Sequence, residues 1–314
     1  MPIIRFEAYN RRDFRIYFSL FPEQAMSNQT PTSQSSDPKR IIAAELQEGL
    51  ASSQLELPVM PRVASKIFTL TSNPNAEVGD LSQLIHSDQS IASHVLRIAN
   101  SAINGGGDRI VSLQQAVARL GMNLLGEIAI AVSIQGDLFK APGYEAQITR
   151  LLRHALTSAA YGKEIARKRR RNVEGQFLCG LLHSVGKTIA VQLIAQMANE
   201  KSLDLEKQYL AQLVGAFHRK IAAKVAVDWN LPEQLQTTTV YLKKYESAPS
   251  FKDESAATYL SQLLASWVIN PANFNAVELT QDPVFGYLNF YPDDAQDLLD
   301  KKDDVKAVVS AMEL

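Results

Sequence analysis

Gly180-Leu181-Leu182-His183-Ser184-Val185-Gly186-Lys187 is a short apolar helical run that ends in an imidazole and then breaks at a glycine. The residue after the imidazole separates two chemistries. An aspartate there would bring charge and a hard oxygen to a divalent ion, whereas the neutral hydroxyl of Ser184 is a poor ligand at neutral pH. The stretch therefore reads better as part of a signalling or binding module than as part of a metal enzyme.

The same residues contain the end of a phosphate-binding loop, Gly186-Lys187-Thr188. That loop needs its first glycine five places before the second, so that backbone donors curl around a phosphate at a fixed radius. Leu181 stands there, with the nearest glycine at Gly180, and the preceding Phe177-Leu178-Cys179 is too short and too helix-like for the strand the motif requires. A P-loop is set aside.

The composition leaves few other classes open. The 314 residues suffice for one large or two small domains with a sizeable core. Hydrophobic residues make up 46% and charged residues 21%, as in ordinary globular chains. A net charge of −1 gives no global field for nucleic acid or an anionic membrane. The single Cys179, in an apolar run, excludes an internal disulfide and a cysteine zinc cage, and reads as a buried small hydrophobe. No apolar run reaches the ~18–20 residues that span a bilayer: the longest candidate, 124–138, is broken by Glu127, Gln135 and Asp137. Arg5, Glu7, Arg11, Arg12, Asp13 and Arg15 leave no signal-peptide core, so a cytoplasmic location is expected.

Outward from the octapeptide, the helical period dominates. Residues 1–38 are the exception: Ser27 to Pro38 is nearly all polar residues and proline, which points to a disordered N-terminal segment. Met26 precedes that tract and is a plausible true start. From Ile41 onward, helices are predicted on Ile41, Leu46 and Leu50; on Val63, Ile67 and Leu70 after Pro61; and on Leu81, Leu84 and Ile85 beyond a turn at Asn73-Pro74-Asn75. Another carries Ile91, Val95, Leu96 and Ile98, capped by Ser87 or Asp88, and Gly105-Gly106-Gly107 ends it. Ser112 caps a helix that Gly121 closes, and 124–138 is apolar around most of its circumference, hence central.

Ala141-Pro142-Gly143 marks a break, and a long helix then runs from about Glu145 to Arg171. Its end, Arg167-Lys168-Arg169-Arg170-Arg171, invites a nucleic-acid reading. Cations also belong at a helix C-terminus, opposite its unpaired carbonyls, and without interleaved aromatics or overall basic charge the solvated helix end is preferred, with nucleic acid an unexpected partner. Helices follow over 173–183, 188–199, 207–229, 232–244 and 254 to 267 or 268, with Asn230-Leu231-Pro232 a sharp stop and restart and 270–273 a loop. A last helix from Pro292 carries Ala295, Leu298, Leu299, Val305, Val308, Val309 and Met312, a stripe that its own domain or a partner must cover.

Two groups of segments resemble the HDOD family, the HD-related output domain of bacterial signalling proteins. The first is Leu57-Pro58-Val59-Met60-Pro61, Asp88-Gln89-Ser90-Ile91, Leu96-Arg97-Ile98-Ala99-Asn100-Ser101-Ala102, and Ser112 to Ala116 with Leu120-Gly121. The second is Arg153-His154, Gly180 to Lys187, and Trp229-Asn230-Leu231-Pro232. The resemblance covers about 57–268, with a weaker echo near 288–299. It implies an all-α, two-part helical bundle: an N-terminal helical half over 39–140, an HD-like helical half over 141–270, and a C-terminal extension over 271–314 ending in an amphipathic helix.

The catalytic relatives of the family, the HD phosphohydrolases, bind a divalent metal through a first His, an adjacent His-Asp pair and a later Asp. By resemblance His154 matches the first and His183 the second, Ser184 replaces the Asp of the pair, and the last position falls near Tyr259-Leu260-Ser261, which holds no carboxylate. Two neutral imidazoles without either acid make a weak site for a hard ion. Arg153, His154, His183, Ser184 and Lys187 are therefore candidates for a remnant HD site or a small anionic ligand; no catalytic residue and no metal or other cofactor is expected. His218 is read as solvent-facing or at a helix edge, and His86 and His94 as structural.

The expectation is a cytoplasmic, non-catalytic signalling module that acts through protein partners. Two alternatives stand beside it. One is a metal-dependent phosphohydrolase holding Mn, Mg or Fe, with Asp228 or Glu254 supplying the acids. The other is a sensor of a nucleotide second messenger, using Arg153 and Lys187 on phosphate.

Overall fold

A computed structural model describes residues 37–52, 54–71, 78–100, 110–136 and 139–313. The N-terminal tract through residue 36 with Met26, the Asn73–Asn75 turn, Ser101-Ala102, the three glycines at 105–107 and Asp137-Leu138 lie outside the described residues. Among those described there is helix and no strand, as the periodicity requires.

The chain enters at α1 (Pro38–Ala51), three residues before the first periodic Ile41. Asp37 accepts the Lys39 N–H at 3.0 Å, and Pro38 sits in the first turn, where its missing N–H costs nothing. Residues 37 and 38 thus belong to the fold and not to the leading tract. α2 (Arg62–Thr71), α3 (Val78–His86) and α4 (Gln89–Ala99) pack against α5 (Leu113–Gln135). Asp88 is the α4 cap, accepting from Ser90 and Ile91, and Ser112 caps α5.

Gly121 has φ +79° and ψ 160° inside α5, a conformation that glycine adopts without steric penalty. There the early stretch and the apolar one kink apart, and every residue from Leu125 to Ile134 is buried. Asn100 does more than end α4. Its amide donates to the Leu96 carbonyl at 2.9 Å and the Ile110 carbonyl at 2.7 Å, while its oxygen accepts the Ile110 N–H at 2.8 Å.

α6 (Glu145–Lys168) is the spine of the second half, with α7 (Val173–Leu182) and α11 (Lys252–Ile269) against it. α8 (Val185–Glu200) pairs with α9 (Lys207–Asp228), and α10 (Glu233–Tyr241) leans on α7, α9 and α11. Two glycines set the closest approaches. A Cβ at Gly180 would lie 2.6 Å from the Ala159 Cα, and one at Gly186 would lie 2.3 Å from the His218 carbonyl oxygen. Side-chain-free positions let α7 sit on α6, and α8 on α9, backbone to backbone.

α9 ends as its sequence predicts: Asn230 takes φ +49°, the Leu231 N–H returns to Ala226 O at 3.0 Å, and Pro232 precedes the next helix. Trp229 Nε1 donates to the Pro58 carbonyl at 2.8 Å, which ties the 57–61 stretch to the end of α9.

Short helices α12 (Ala276–Thr280) and α13 (Pro283–Tyr287) lead to α14 (Pro292–Asp300) and α15 (Lys302–Met312). The single last helix expected from Pro292 is therefore two, broken at Lys301. The stripe is covered from within: Val305, Val309 and Met312 are buried, α15 packs on α6, α4 and α5, and α14 on α6. α1 packs chiefly on α8 and α9 of the second half. One hydrophobic core runs from Ile42 to Met312 through both halves.

Two helical stretches, Leu113–Gln135 and Val173–Glu200, are long and apolar enough to cross a membrane by length and composition, contrary to the expectation of none. Their most apolar windows are 56% and 89% buried inside the protein, and the second is two helices meeting at His183-Ser184. Core helices pass the same test.

Candidate functional site

α6, the α7–α8 junction and α11 bring His154, His183, Ser184 and Lys187 together. His154 follows the inward stripe of α6 beside Leu151 and is fully buried. His183 is the C-cap of α7 and Ser184 the N-cap of α8, so the two residues span a one-step turn between helices. Lys187, in the first turn of α8, is buried along with both. No phosphate loop exists here, because Gly186 is helical and packed on α9.

The rings of His154 and His183 are near neighbours in the interior, among hydroxyls and helix backbone. His183 Nδ1 donates to the Gly180 carbonyl at 2.6 Å. His154 Nε2 meets Ser266 Oγ at 2.9 Å, and Ser266 donates its own proton to the Gln262 carbonyl at 2.9 Å, so the imidazole is the donor in that pair. This fixes both tautomers and leaves His154 Nδ1 and His183 Nε2 as lone pairs with no hydrogen-bond partner among the described residues. Near the position that the resemblance matches to the last acid of the HD phosphohydrolases, Ser261 Oγ shares a hydrogen bond with Ser158 Oγ at 2.8 Å.

Burial holds both rings neutral. Desolvation, then the His183 ring and the Lys187 charge, push His154 well below the usual imidazole range. Desolvation and Lys187 bring His183 down to about 3. His218, expected toward solvent or at a helix edge, is half-buried on α9. Desolvation comes first there as well, followed by the charges of Lys187, Arg219 and Lys243, and its pKa falls to about 3. No carboxylate contributes to any of the three shifts. Ser266, Gln262 and His218 are the members of the site that sequence reasoning missed. All lie on the inner faces of α9 and α11, which single-helix periodicity does not match to α6.

Arg153 does not join them. It leaves α6 on the outer side and makes a two-pronged ion pair with Glu313, its second contact at 3.1 Å. The two acids considered as substitutes are also elsewhere. Asp228 pairs with Lys224 at 2.9 Å, ten residues along α9 from His218, which at ~1.5 Å per residue is about 15 Å away. Glu254 is twelve residues along α11 from Ser266, about 18 Å by the same rise, and lines a crevice with Arg169, Arg171 and Asp253. Among the described residues no group of three or more His, Cys, Asp or Glu converges as a metal cage.

The basic run at the end of α6 is matched to acids. Arg167 pairs with Glu164, Lys168 with Asp294 at 3.1 Å and Asp297 at 2.8 Å, and Arg169 and Arg171 with Asp253 at 2.8 and 3.3 Å. Arg170 takes φ +52° as the chain turns, and the Arg171 N–H closes on the Ala166 carbonyl. The run serves the helix end and the contact with α14.

Comparison with known proteins agrees with this architecture. An HDOD domain protein from Geobacter sulfurreducens superposes with a TM-score of 0.65 at 22% identity, over 87% of this chain and 97% of that one. A protein provisionally named a metal-dependent phosphohydrolase, from Shewanella amazonensis SB2B, gives a TM-score of 0.66 at 18% identity over 88% and 99%. An uncharacterized protein of Treponema pallidum (strain Nichols) is 23% identical over 202 residues, 62% of this chain; the chain spans about two fifths of that relative's length. The sequence model of the HDOD domain matches residues 57–245, more than half the chain, and the protein belongs to the HDOD domain family.

Proposed function

We propose that the chain is a non-catalytic HDOD-type signal-transduction module that works in the cytoplasm through contacts with protein partners of a signalling pathway. The observation that supports this most is the donor set at the HD position: two neutral imidazoles, serine hydroxyls and a buried lysine, with no carboxylate acting on either ring. A hard divalent ion is held by charged oxygens, and here it would meet the Lys187 charge instead. Manganese, magnesium or iron does not fit these residues, so no hydrolytic step is assigned to them. The phosphohydrolase name of the Shewanella protein is not carried over. A nucleotide second messenger is a weaker reading, since of its two phosphate-binding candidates Arg153 is engaged by Glu313.

The test is direct. The purified protein, dialysed against manganese, should retain less than one equivalent by mass spectrometry and leave nucleotide and phosphodiester substrates intact. Manganese-dependent hydrolysis that disappears in His183→Ala would overturn the proposal.

A further inference from the structure

Between α1, residues 54–58 and the C-terminal half of α8 lies a groove of about 610 Å³, within the ~300–1,000 Å³ of ordinary binding clefts. Helical spacing builds it. Glu45, Glu48 and Ser52 stack on one face of α1, and Leu193, Gln196, Met197 and Glu200 on one face of α8. Its apolar residues are Leu55, Leu193 and Met197, all buried, with Leu57 and Pro58 half-buried beside them. Its rim is acidic, with Glu48, Glu56 and Glu200 exposed, and no lysine or arginine lines it. Lys201, just outside, is taken by Glu45 at 3.1 Å. In the wall, Gln192 Oε1 is buried and has no hydrogen-bond partner among the described residues. With a net charge of −1 over the whole chain, this acidity is local and not a share of a general surplus.

We propose that this groove docks a basic amphipathic segment of a partner protein, its aliphatic side chains on Leu57 and Pro58 and its lysine or arginine heads on Glu48, Glu56 and Glu200. The inference rests on the reading of the chain as a protein-contact module and names the chemistry of one partner. The rim carboxylates come from different elements and are spread along these apolar residues, which suits several cationic side chains on one scaffold better than a single small ion. Acidic segments, anionic lipid and nucleic acid are disfavoured by the same charges.

Two fluorescein-labelled synthetic peptides with identical leucine spacing, one with lysine and one with glutamate at every other position, separate the outcomes by anisotropy. The full chain should bind the lysine peptide and not the glutamate twin, and binding should weaken as salt rises. The triple variant E48K/E56K/E200K, which changes only exposed side chains, should bind at least tenfold more weakly, while Asp303→Lys at the exposed start of α15 should stay within twofold of wild type. Equal binding of both peptides, or a triple variant as tight as wild type, would overturn the groove assignment. The same samples are assayed for manganese-dependent phosphodiester hydrolysis. A null peptide result without hydrolysis removes the groove alone, whereas hydrolysis removes the module reading on which it rests.

Discussion

The rings of His154 and His183 stand 5.3 Å apart, centroid to centroid, tilted by 51°, and each keeps one nitrogen without a hydrogen-bond partner among the described residues. In a metal enzyme of this architecture such lone pairs would be half of a coordination shell. Here Ser184 follows His183 in the chain, Ser261 is bonded to Ser158, and Lys187 is buried near both rings. Both rings are also part of the buried interior.

Adding one acid should not create a metal site. Ser184→Asp puts a carboxylate at the α8 N-cap, where the helix dipole favours it, and beside Lys187, whose charge it would answer. The expected result is a folded protein within about 1 kcal/mol of wild type that binds manganese no better than tens of micromolar and hydrolyses nothing, because the 259–261 position still lacks an acid. Isothermal titration with manganese decides it. Tight binding by the single variant would show that the two imidazoles need only one carboxylate.

Acid should unfold this protein earlier than its carboxylates alone would dictate. The folded pKa of His183 is depressed to about 3, while an unfolded histidine titrates near 6.5. Between these values the unfolded chain binds the extra proton, so stability is full above about pH 6.5 and is lost as pH falls toward 3. The slope approaches about 1.4 kcal/mol per pH unit for one fully buried group. His154 acts in the same direction, and His218, which keeps some exposure, adds less. Asp294, held low by the Tyr291 backbone and Lys168, also loses its contribution in acid. The difference between His183→Leu and wild type therefore isolates the imidazole. Urea midpoints at pH 7 and pH 5 should lie closer together in the variant than in wild type, with the remainder due to His154, His218 and the carboxylates, and equal shifts in both proteins would refute the assignment.

Local signals were legible in the sequence and distant ones were not. The kink at Gly121, the stop at Asn230 and the caps at Asp88 and Ser112 each follow from a residue and its immediate neighbours. The site was legible as far as His154, His183 and Lys187, since the chain order of a known motif places them. What escaped were contacts across the chain: Arg153 with Glu313, 160 residues on, α1 on α8 and α9, and the half-burial of His218. Each depends on which helix faces which, and a 3.6-residue period is silent on that. The amphipathic tail shows the same limit, because its stripe announces burial without naming the covering surface.

Gly186→Ala should be among the most damaging single-methyl changes in the chain. Its Cβ would fall 2.3 Å from the His218 carbonyl oxygen and 2.6 Å from the Ala222 Cβ, and neither atom is the end of a flexible side chain. α8 and α9 must part by about an ångström, which puts the cost at or above the upper end of the ~1–3 kcal/mol usual for overpacking. Gly286→Ala, with nothing within 4 Å of the added carbon, serves as the control and should be near neutral. Chemical denaturation of both measures the gap; equal midpoints would mean that the α8–α9 contact is looser than described.

The tail should prove to be held by its apolar face and not by its ion pair. Arg153 and Glu313 make a bidentate contact, yet the Arg153 side chain is 53% exposed, and exposed pairs contribute roughly 0–1 kcal/mol. Val309, by contrast, is 5% exposed in the α15 stripe that lies on α6, α4 and α5. Truncating a valine there removes two buried methyl groups, about 0.8 kcal/mol each by transfer alone, and leaves a cavity besides. Arg153→Ala should therefore lower stability by less than about 1 kcal/mol and Val309→Ala by about 2, while Val309→Asp, which buries a charge with no partner, should release the helix. Limited proteolysis reads that release as cleavage between Lys301 and Met312. Protection of Val309→Asp equal to wild type, with cleavage in Arg153→Ala, would invert the ranking and make the ion pair the clasp.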